Sequence, residues 1–348
     1  MRLYQFDPTS DARWADLVQK HPKASVFHTV GWLKALRCTF GYEPVAFTTS
    51  SPTGELKNGM VFCRVDSRLT GSRLISLPFS DHCEPLCEVG EDLNFMIGYL
   101  LSASDRENWK RLEIRPINGS FGQTGTGIGF VPTATYFLHT LDLVPDLNSV
   151  FRSLDKCCVQ RRIQRAERAG LVERCGRSSD LLKDFYALFV TTRRRHCVPP
   201  IPNSWFKNLT EYHDKALHIR VAYKGEIPIA AILTLQFRDV VYYKYGCSDS
   251  RFKNLGATPW LLWKAIAAAK SDGASEFDMG RTHEDDTGLL RFKNHWVRQK
   301  RLIYWNFPGT PAFYSANGWK FKIARRMFSR MPDKLLALTG RILYRHIG

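Results

Sequence analysis

The sequence predicts an α/β (α+β) protein of two tandem units. Each is a mixed, mostly antiparallel sheet flanked by helices, and a helical tail follows. Three observations predict it. Hydrophobic residues make up 44% and aromatic residues 13% of the 348, enough for packed cores and too many for disorder. The length holds two domains of ordinary size. One order of segments also occurs twice: helix, helix, strand, tight turn, strand, helix, strand, each time closing near an arginine (Arg115; Arg281).

The elements follow in order. In the first half, Arg2 to Phe6 reads as a strand, and Ala12 to Val18 and Gly31 to Cys38 read as helices. Val45 to Phe47 is a strand, Ser51-Pro52-Thr53-Gly54 a turn, and Asn58 to Val65 a second strand. Arg73 to Leu77, a helix near Asp92 to Ser102, and a strand from Leu112 that stops at Pro116 complete the unit. In the second half, Asp155 to Ala169 is a basic helix ended by Gly170, and Asp180 to Arg194 is the next helix. Ile219 to Tyr223 is a strand, Lys224-Gly225-Glu226 a turn, Ile227 to Phe237 a strand, and Val240 to Tyr245 another. A helix over Ala257 to Ser271 leads to a closing strand at Phe277-Asp278. The boundary falls near Asp142 to Asp146, giving units over 1–145 and 146–310, the second carrying the candidate active site, and a tail over 311–348. A single mixed domain with coincidental order is the plain alternative.

The formal charge is +17, which favours anionic partners: phosphates, nucleic acid or an anionic membrane face. Met1 to Phe6 runs into Asp7 with no apolar stretch behind it, so no secretory signal is read. No window holds about 18 uncharged apolar residues, so no spanning helix is expected. The nine cysteines are scattered and include no C-x-x-C pair. Neither a disulfide framework nor a zinc site is expected, and a reducing cytoplasm fits best.

The chemistry concentrates in Phe277-Asp278-Met279-Gly280-Arg281-Thr282 and Gly288-Leu289-Leu290-Arg291-Phe292-Lys293-Asn294-His295-Trp296. A strand ends on a carboxylate, a glycine and an arginine follow, and a lysine sits between aromatics. Strand ends are where α/β sheets hold ligands, so Asp278, Arg281 and Lys293 outline a pocket for an anionic, polar substrate.

These motifs are similar to those of the FemAB-like branch of the GNAT acyltransferase superfamily. That branch comprises tandem-GNAT proteins related to the Fem-type peptidoglycan aminoacyltransferases and to acetyltransferases of exopolysaccharide clusters. Gln160 to Gly170 resembles the family's basic helix, and Thr192 to Pro200 resembles the loop after it. Tyr242-Tyr243-Lys244-Tyr245-Gly246-Cys247-Ser248-Asp249 also matches, as do Ser76 to Asp81 and Phe27-His28-x-x-x-Trp32 in the first half. The resemblance covers most of residues 25 to 305. Two features depart from it: Val297 stands where the family often has glycine, and no heptad run marks the coiled-coil arm of the tRNA-using enzymes.

The resemblance implies transfer of an acyl or aminoacyl group to an amine, which needs a positioned carbonyl, a neutral amine and donors facing the oxyanion. It implies that Lys293 stabilises the carbonyl oxygen; the bland alternative is a solvated helix lysine. Asp278 would accept a proton or orient the amine, against a helix cap or an ion pair with Arg281. Arg281 suits bidentate phosphate or carboxylate binding. On an alternating strand Tyr243 and Tyr245 share one face and Lys244 takes the other, so one face lines the cleft. Arg161, Arg165 and Arg168 share one face of the basic helix and could grip diphosphate or RNA; a solvated face is the alternative. Arg251, Gly256 and Ala257 loosely match a pyrophosphate loop for coenzyme A, though the spacing departs from the usual one. His28 and His295 read as lone packed or surface residues. Cys197 and Cys247 have no base at local spacing. Apolar stripes from Trp319 to His346 suit either an anionic membrane surface or the second unit's core, and packing is the favoured reading.

The expected protein is a cytoplasmic acyltransferase, with peripheral contact at the inner face of the membrane as an option. It would act on an anionic small-molecule, lipid-linked or polysaccharide precursor of the cell envelope. The donor would be acyl-CoA or another activated acyl carrier, with no metal. The rivals are a tRNA-dependent aminoacyl ligase, a non-catalytic binder of an anionic polysaccharide or lipid carrier, and a nucleic-acid-binding protein. No recognised nucleic-acid-binding motif supports the last.

Overall fold

The computed structural model describes residues 1–88, 90–117, 121, 126–307, 327–328 and 331–347. Of the tail motifs, Trp319 and Phe321 lie outside them. The chain divides into two compact units. Unit 1 is Met1–Tyr136 with Arg301–Ser315 and Arg341–Gly348; unit 2 is Phe137–Lys300 with Ala316–Gly340.

Unit 1 contains β1 (Tyr4–Phe6), α1 (Ala12–Lys20), α2 (Val30–Phe40), β2 (Glu43–Thr48), β3 (Met60–Ser67), β4 (Gly71–Ile75), α3 (Glu91–Arg106) and β5 (Arg111–Ile114). β1 to β4 pair antiparallel in sequence order, and β4 pairs β5 in parallel through Arg73↔Arg111, Leu74↔Leu112 and Ile75↔Glu113. Asp11 and Thr29 cap α1 and α2 by accepting backbone N–H groups of Arg13 and Trp32. The core joins Phe47, Phe62 and Leu74 to Met96, Ile97 and Leu100 of α3, the face its helical spacing predicts.

Unit 2 repeats the plan. β6 (Val131–Asp142) enters it at Phe137, followed by α4 (Leu147–Ser153), a π turn (Lys156–Gln160), α5 (Arg161–Arg168), β7 (Val172–Gly176), α6 (Ser179–Arg195) and α7 (Asn203–His213). Then come β8 (Leu217–Lys224), β9 (Ile227–Phe237), β10 (Val240–Ser248), a 3₁₀ turn (Ser250–Leu255), α8 (Ala257–Ser271), β11 (Glu276–His283) and α9 (Thr287–Asn294). β7 to β10 pair antiparallel in order, and β10 pairs β11 in parallel. One face of this sheet packs on Ile163 and Ala166 of α5 and on Trp260, Leu261 and Ile266 of α8. Burying a leucine or isoleucine in this way contributes about 1.5–3 kcal/mol. The other face meets an aromatic cluster of Phe185, Phe189 and Phe206 from α6 and α7.

The α/β class and the mixed sheets flanked by helices are as the sequence predicts. The division of the chain is different. β12 (Gln299–Phe307) pairs antiparallel with β5 through Trp305↔Ile114, so residues from Arg301 return to unit 1 instead of closing unit 2. β6, β7, β12, α4 and α7 are additional to the elements read from sequence. The basic helix begins as a π turn and is α-helical only from Arg161. The tail contains α10 (Asp333–Ile347).

Candidate active site

The parallel ladder of β10 and β11 is short. It runs Val240↔Glu276, Val241↔Phe277 and Tyr242↔Asp278, while the two strands continue to Ser248 and His283. Immediately after it, β10 bulges: Tyr243 pairs with Thr234 and Tyr245 with Leu233, leaving Lys244 as the extra residue. The two strands therefore stop pairing where one of them kinks, which leaves facing backbone edges to hold a ligand.

The bulge corrects the sequence reading of the tyrosines. Thr234 and Leu233 are adjacent on β9 and face opposite ways, so Tyr243 and Tyr245 do too. Tyr243 packs on the α5 and α8 side, where a Cβ on Gly246 would collide with its hydroxyl. Desolvation pushes that phenol above its ordinary range, so it stays a neutral donor. Tyr245 instead meets Phe189 and Phe206, and its hydroxyl accepts a 2.8 Å bond from Trp205 Nε1. Lys244 Nζ lies 5.9 Å from the Tyr245 ring centroid.

Asp278, Gly280, Arg281 and Lys293 come together. Asp278 is 2% exposed, and its Oδ1 accepts the Gly280 N–H at 2.6 Å. Lys293, on α9, is 3% exposed, which excludes a solvated helix lysine. Its Nζ donates to the carbonyls of Gly280 at 2.9 Å and Arg281 at 3.1 Å. Gly280 has φ +72°, a left-handed conformation that glycine adopts without a Cβ penalty. A buried carboxylate and a buried ammonium thus grip one left-handed turn through charge-assisted hydrogen bonds worth about 1.5–3 kcal/mol each. The Arg281 side chain is partly buried beside them.

The sequence reading missed His139 and Asn294. His139, on β6, is fully buried and donates from Nε2 to Asn294 Oδ1 at 3.0 Å. Desolvation depresses the His139 pKa, and the Lys293 charge adds to that, so the ring is neutral near pH 7. Asn294 adjoins Lys293 in sequence and was legible as a candidate; a lone strand histidine carried no such signal. Arg195, at the end of α6, donates to the Ser248 carbonyl at 3.1 Å and adds a cation at the end of β10.

The remaining candidates form a second locus. Arg161, Arg165 and Arg168 are exposed on α5 while Ile163 and Ala166 face the core. Arg165 donates to the Asn254 carbonyl at 3.2 Å, tying α5 to the turn before α8. Gly256 starts α8 at φ +76°, and a Cβ there would collide with the Arg162 carbonyl. Arg251 forks onto Asp249 at 2.6–3.2 Å and holds that carboxyl below its usual range. Gly256 and Ala257 are thus buried under α5, and Arg251 is engaged locally. Cys247 is buried, and desolvation pushes its thiol up, which removes it as a nucleophile. His28 is a packed residue bonded to the Glu84 carbonyl at 2.9 Å, as read.

In unit 1 the equivalent end of the parallel pair is filled. Arg115 is 7% and Glu113 6% exposed, and they pair at 2.7 Å. Arg115 also donates to the Leu77 carbonyl at 2.7 Å and the Ser80 carbonyl at 3.3 Å, and stacks over Tyr304 at 4.8 Å. A salt-bridged plug occupies the place where unit 2 has its glycine turn.

Residues 158–294 match the family model for the acetyltransferase (GNAT) domain. The chain is similar in structure to FemX, with TM-score 0.70 at 13% identity over 88% of this chain and 97% of that one. A tandem GNAT protein from the clavulanic acid biosynthesis pathway superposes at TM-score 0.57, with 8% identity over 89% of this chain and 99% of that one. The C-terminal domain of a protein described as a lysylphosphatidylglycerol synthetase, from Agrobacterium fabrum, superposes at TM-score 0.56. It is 12% identical over 90% of this chain and 93% of that one. No curated protein matches the sequence. Residues 158–294 of unit 2 thus carry a GNAT acetyltransferase domain, and the chain shares the fold of these neighbours. The FemAB-like tandem GNAT resemblance read from the sequence is borne out in domain family and fold.

Proposed function

We propose that the chain transfers an acyl or aminoacyl group to an amine on a cell-envelope precursor, and that unit 2 does the chemistry. The observation that carries this is the parting of β10 and β11 at Tyr242↔Asp278, beside a buried carboxylate and ammonium. The amine nitrogen bonds to the carbonyl carbon, the bond from carbon to its carrier breaks, and the proton lost by the amine ends on the departing carrier. Asp278 orients the amine. Lys293 supplies fixed positive charge toward the developing oxyanion. Arg281 and the α5 arginines Arg161 and Arg165 hold the anionic carrier or acceptor.

A tRNA-dependent ligase is the second reading, and one observation favours it. The Arg162 carbonyl covers Gly256, where the amides at the start of α8 would hold the diphosphate of coenzyme A. The exposed α5 arginines remain for a larger polyanion.

We also propose that the acceptor is lipid-linked. No helix among the described residues is long and apolar enough to cross a membrane. α10 nevertheless buries Leu336 and exposes Leu335, Leu338 and Ile342 by 54%, 51% and 55%, with Arg341 and Arg345 exposed nearby. That pattern suits shallow insertion into an anionic surface, and a neighbour's description as a lysylphosphatidylglycerol synthetase supports it.

The deciding experiment is equilibrium binding of acetyl-coenzyme A and of charged and uncharged tRNA. Saturable acetyl-coenzyme A binding supports the small carrier. Preference for charged tRNA supports the ligase. Binding of neither overturns both named donors and leaves another activated acyl carrier or the non-catalytic binder.

A further inference from the structure

Asp155, Cys158 and His295 converge in unit 2, and the proposed chemistry uses none of them. Asp155 precedes the π turn that leads into α5; His295 caps α9, two residues past Lys293. One carboxylate oxygen, the Cys158 Sγ and one imidazole nitrogen all lie within 4.8 Å of one another. The sequence expectation of no zinc site rested on local spacing, and these donors come from the two ends of the unit.

The geometry is specific. His295 Nδ1 and Asp155 Oδ2 are 3.4 Å apart, long for a hydrogen bond. A tetrahedral ion bonded to nitrogen and oxygen at about 2.0–2.1 Å places those two ligands about 3.3 Å apart. The donors are also held in place by the backbone. Asp155 Oδ1 accepts the N–H groups of Cys157 at 2.9 Å and Cys158 at 2.6 Å, which turns Oδ2 toward His295. The Asp155 N–H donates to the His295 carbonyl at 3.1 Å, so the two segments are joined independently of the side chains. The side chains of His295 and Asp155 are 29% and 37% exposed, which leaves room for water as a fourth ligand. A thiolate, an imidazole and a carboxylate form a borderline donor set that suits zinc and disfavours magnesium or calcium.

We propose that Asp155, Cys158 and His295 bind one Zn²⁺, with water completing a tetrahedron. Binding displaces the Cys158 thiol proton to solvent and leaves the imidazole neutral. The ion clips the start of the arginine-bearing α5 to the end of the helix carrying Lys293. This inference stands whether or not the acyl-transfer reading holds.

The test is metal content of the full chain, purified from zinc-supplemented culture and dialysed against metal-free buffer. Wild type should retain one zinc per chain by elemental mass spectrometry. Cys158→Ser and His295→Ala should lose it, while Cys157→Ser keeps it. Wild type without zinc, or variants that keep it, would overturn the site. If the variants do not fold, Co²⁺ titration of the wild type decides. A saturable thiolate-to-cobalt charge-transfer band upholds the site, and its absence rejects it.

Discussion

Replacing Arg115 with methionine tests whether unit 1 is a scaffold. Arg115 and Glu113 are both buried, and Arg115 holds the Leu77 and Ser80 carbonyls as well. The loop it holds contains Leu77 at φ +56° and Phe79 at φ +62°, left-handed positions that non-glycine residues adopt at a cost of about 1–2 kcal/mol each. Breaking a buried ion pair by removing one partner costs about 3–5 kcal/mol, because the other charge stays buried. Arg111, 3.5 Å from Glu113, partly compensates. Arg115→Met should therefore lower unfolding free energy by about 3–4 kcal/mol in urea melts. Adding Glu113→Gln should recover about 1–2 kcal/mol, since the buried carboxylate charge is then gone and only the less buried Arg111 loses its partner. Donor binding and transfer should be unchanged in the folded fraction. Near-native stability with lost donor binding would refute this reasoning and make the unit 1 site a ligand site.

Three further outcomes follow from the same structure. Desolvation lowers the pKa of His28 and His213 from 6.5 to about 4. The unfolded chain therefore binds more protons in that window, and stability falls as pH drops from about 6.5 toward 4. Each histidine should remove about 2 kcal/mol between about pH 7 and about pH 5, and His213→Leu should flatten its share in urea melts at the two pH values. Gly256→Ala combines φ +76° with a collision against the Arg162 backbone, so thermal melts should show a loss of about 3 kcal/mol; a neutral variant contradicts the seating of α5 on α8. Leu338→Ser with Ile342→Ser should reduce sedimentation with phosphatidylglycerol vesicles at least about tenfold at unchanged stability; equal sedimentation rules out α10 as the contact.

The candidate site was legible where its signals were local. Asp278, Gly280, Arg281 and Lys293 lie within a short stretch, and the structure closes them into one hydrogen-bonded turn. The glycine after the basic helix was equally readable, and Gly170 has φ +65°. What escaped depends on partners far along the chain. No glycine or proline at Lys244 announces the bulge, and only pairing with Thr234 and Leu233 reveals that the tyrosines diverge. β12 joins β5 across most of the sequence, and a strand's allegiance is set by such non-local pairing. His139 shows its role only beside Asn294, and His295 only beside Asp155.

Under the proposed function, the buried Lys293 charge serves transfer as well as the Gly280 turn. The most direct measurement is single-turnover transfer of labelled acyl group to an amine, using the donor that binds, with folded Lys293→Met against wild type. The rate should be about 10²–10³-fold lower with donor affinity retained, the loss typical of removing one oxyanion donor. An unchanged rate would contradict it and leave Lys293 as a clamp on the Gly280 and Arg281 carbonyls alone.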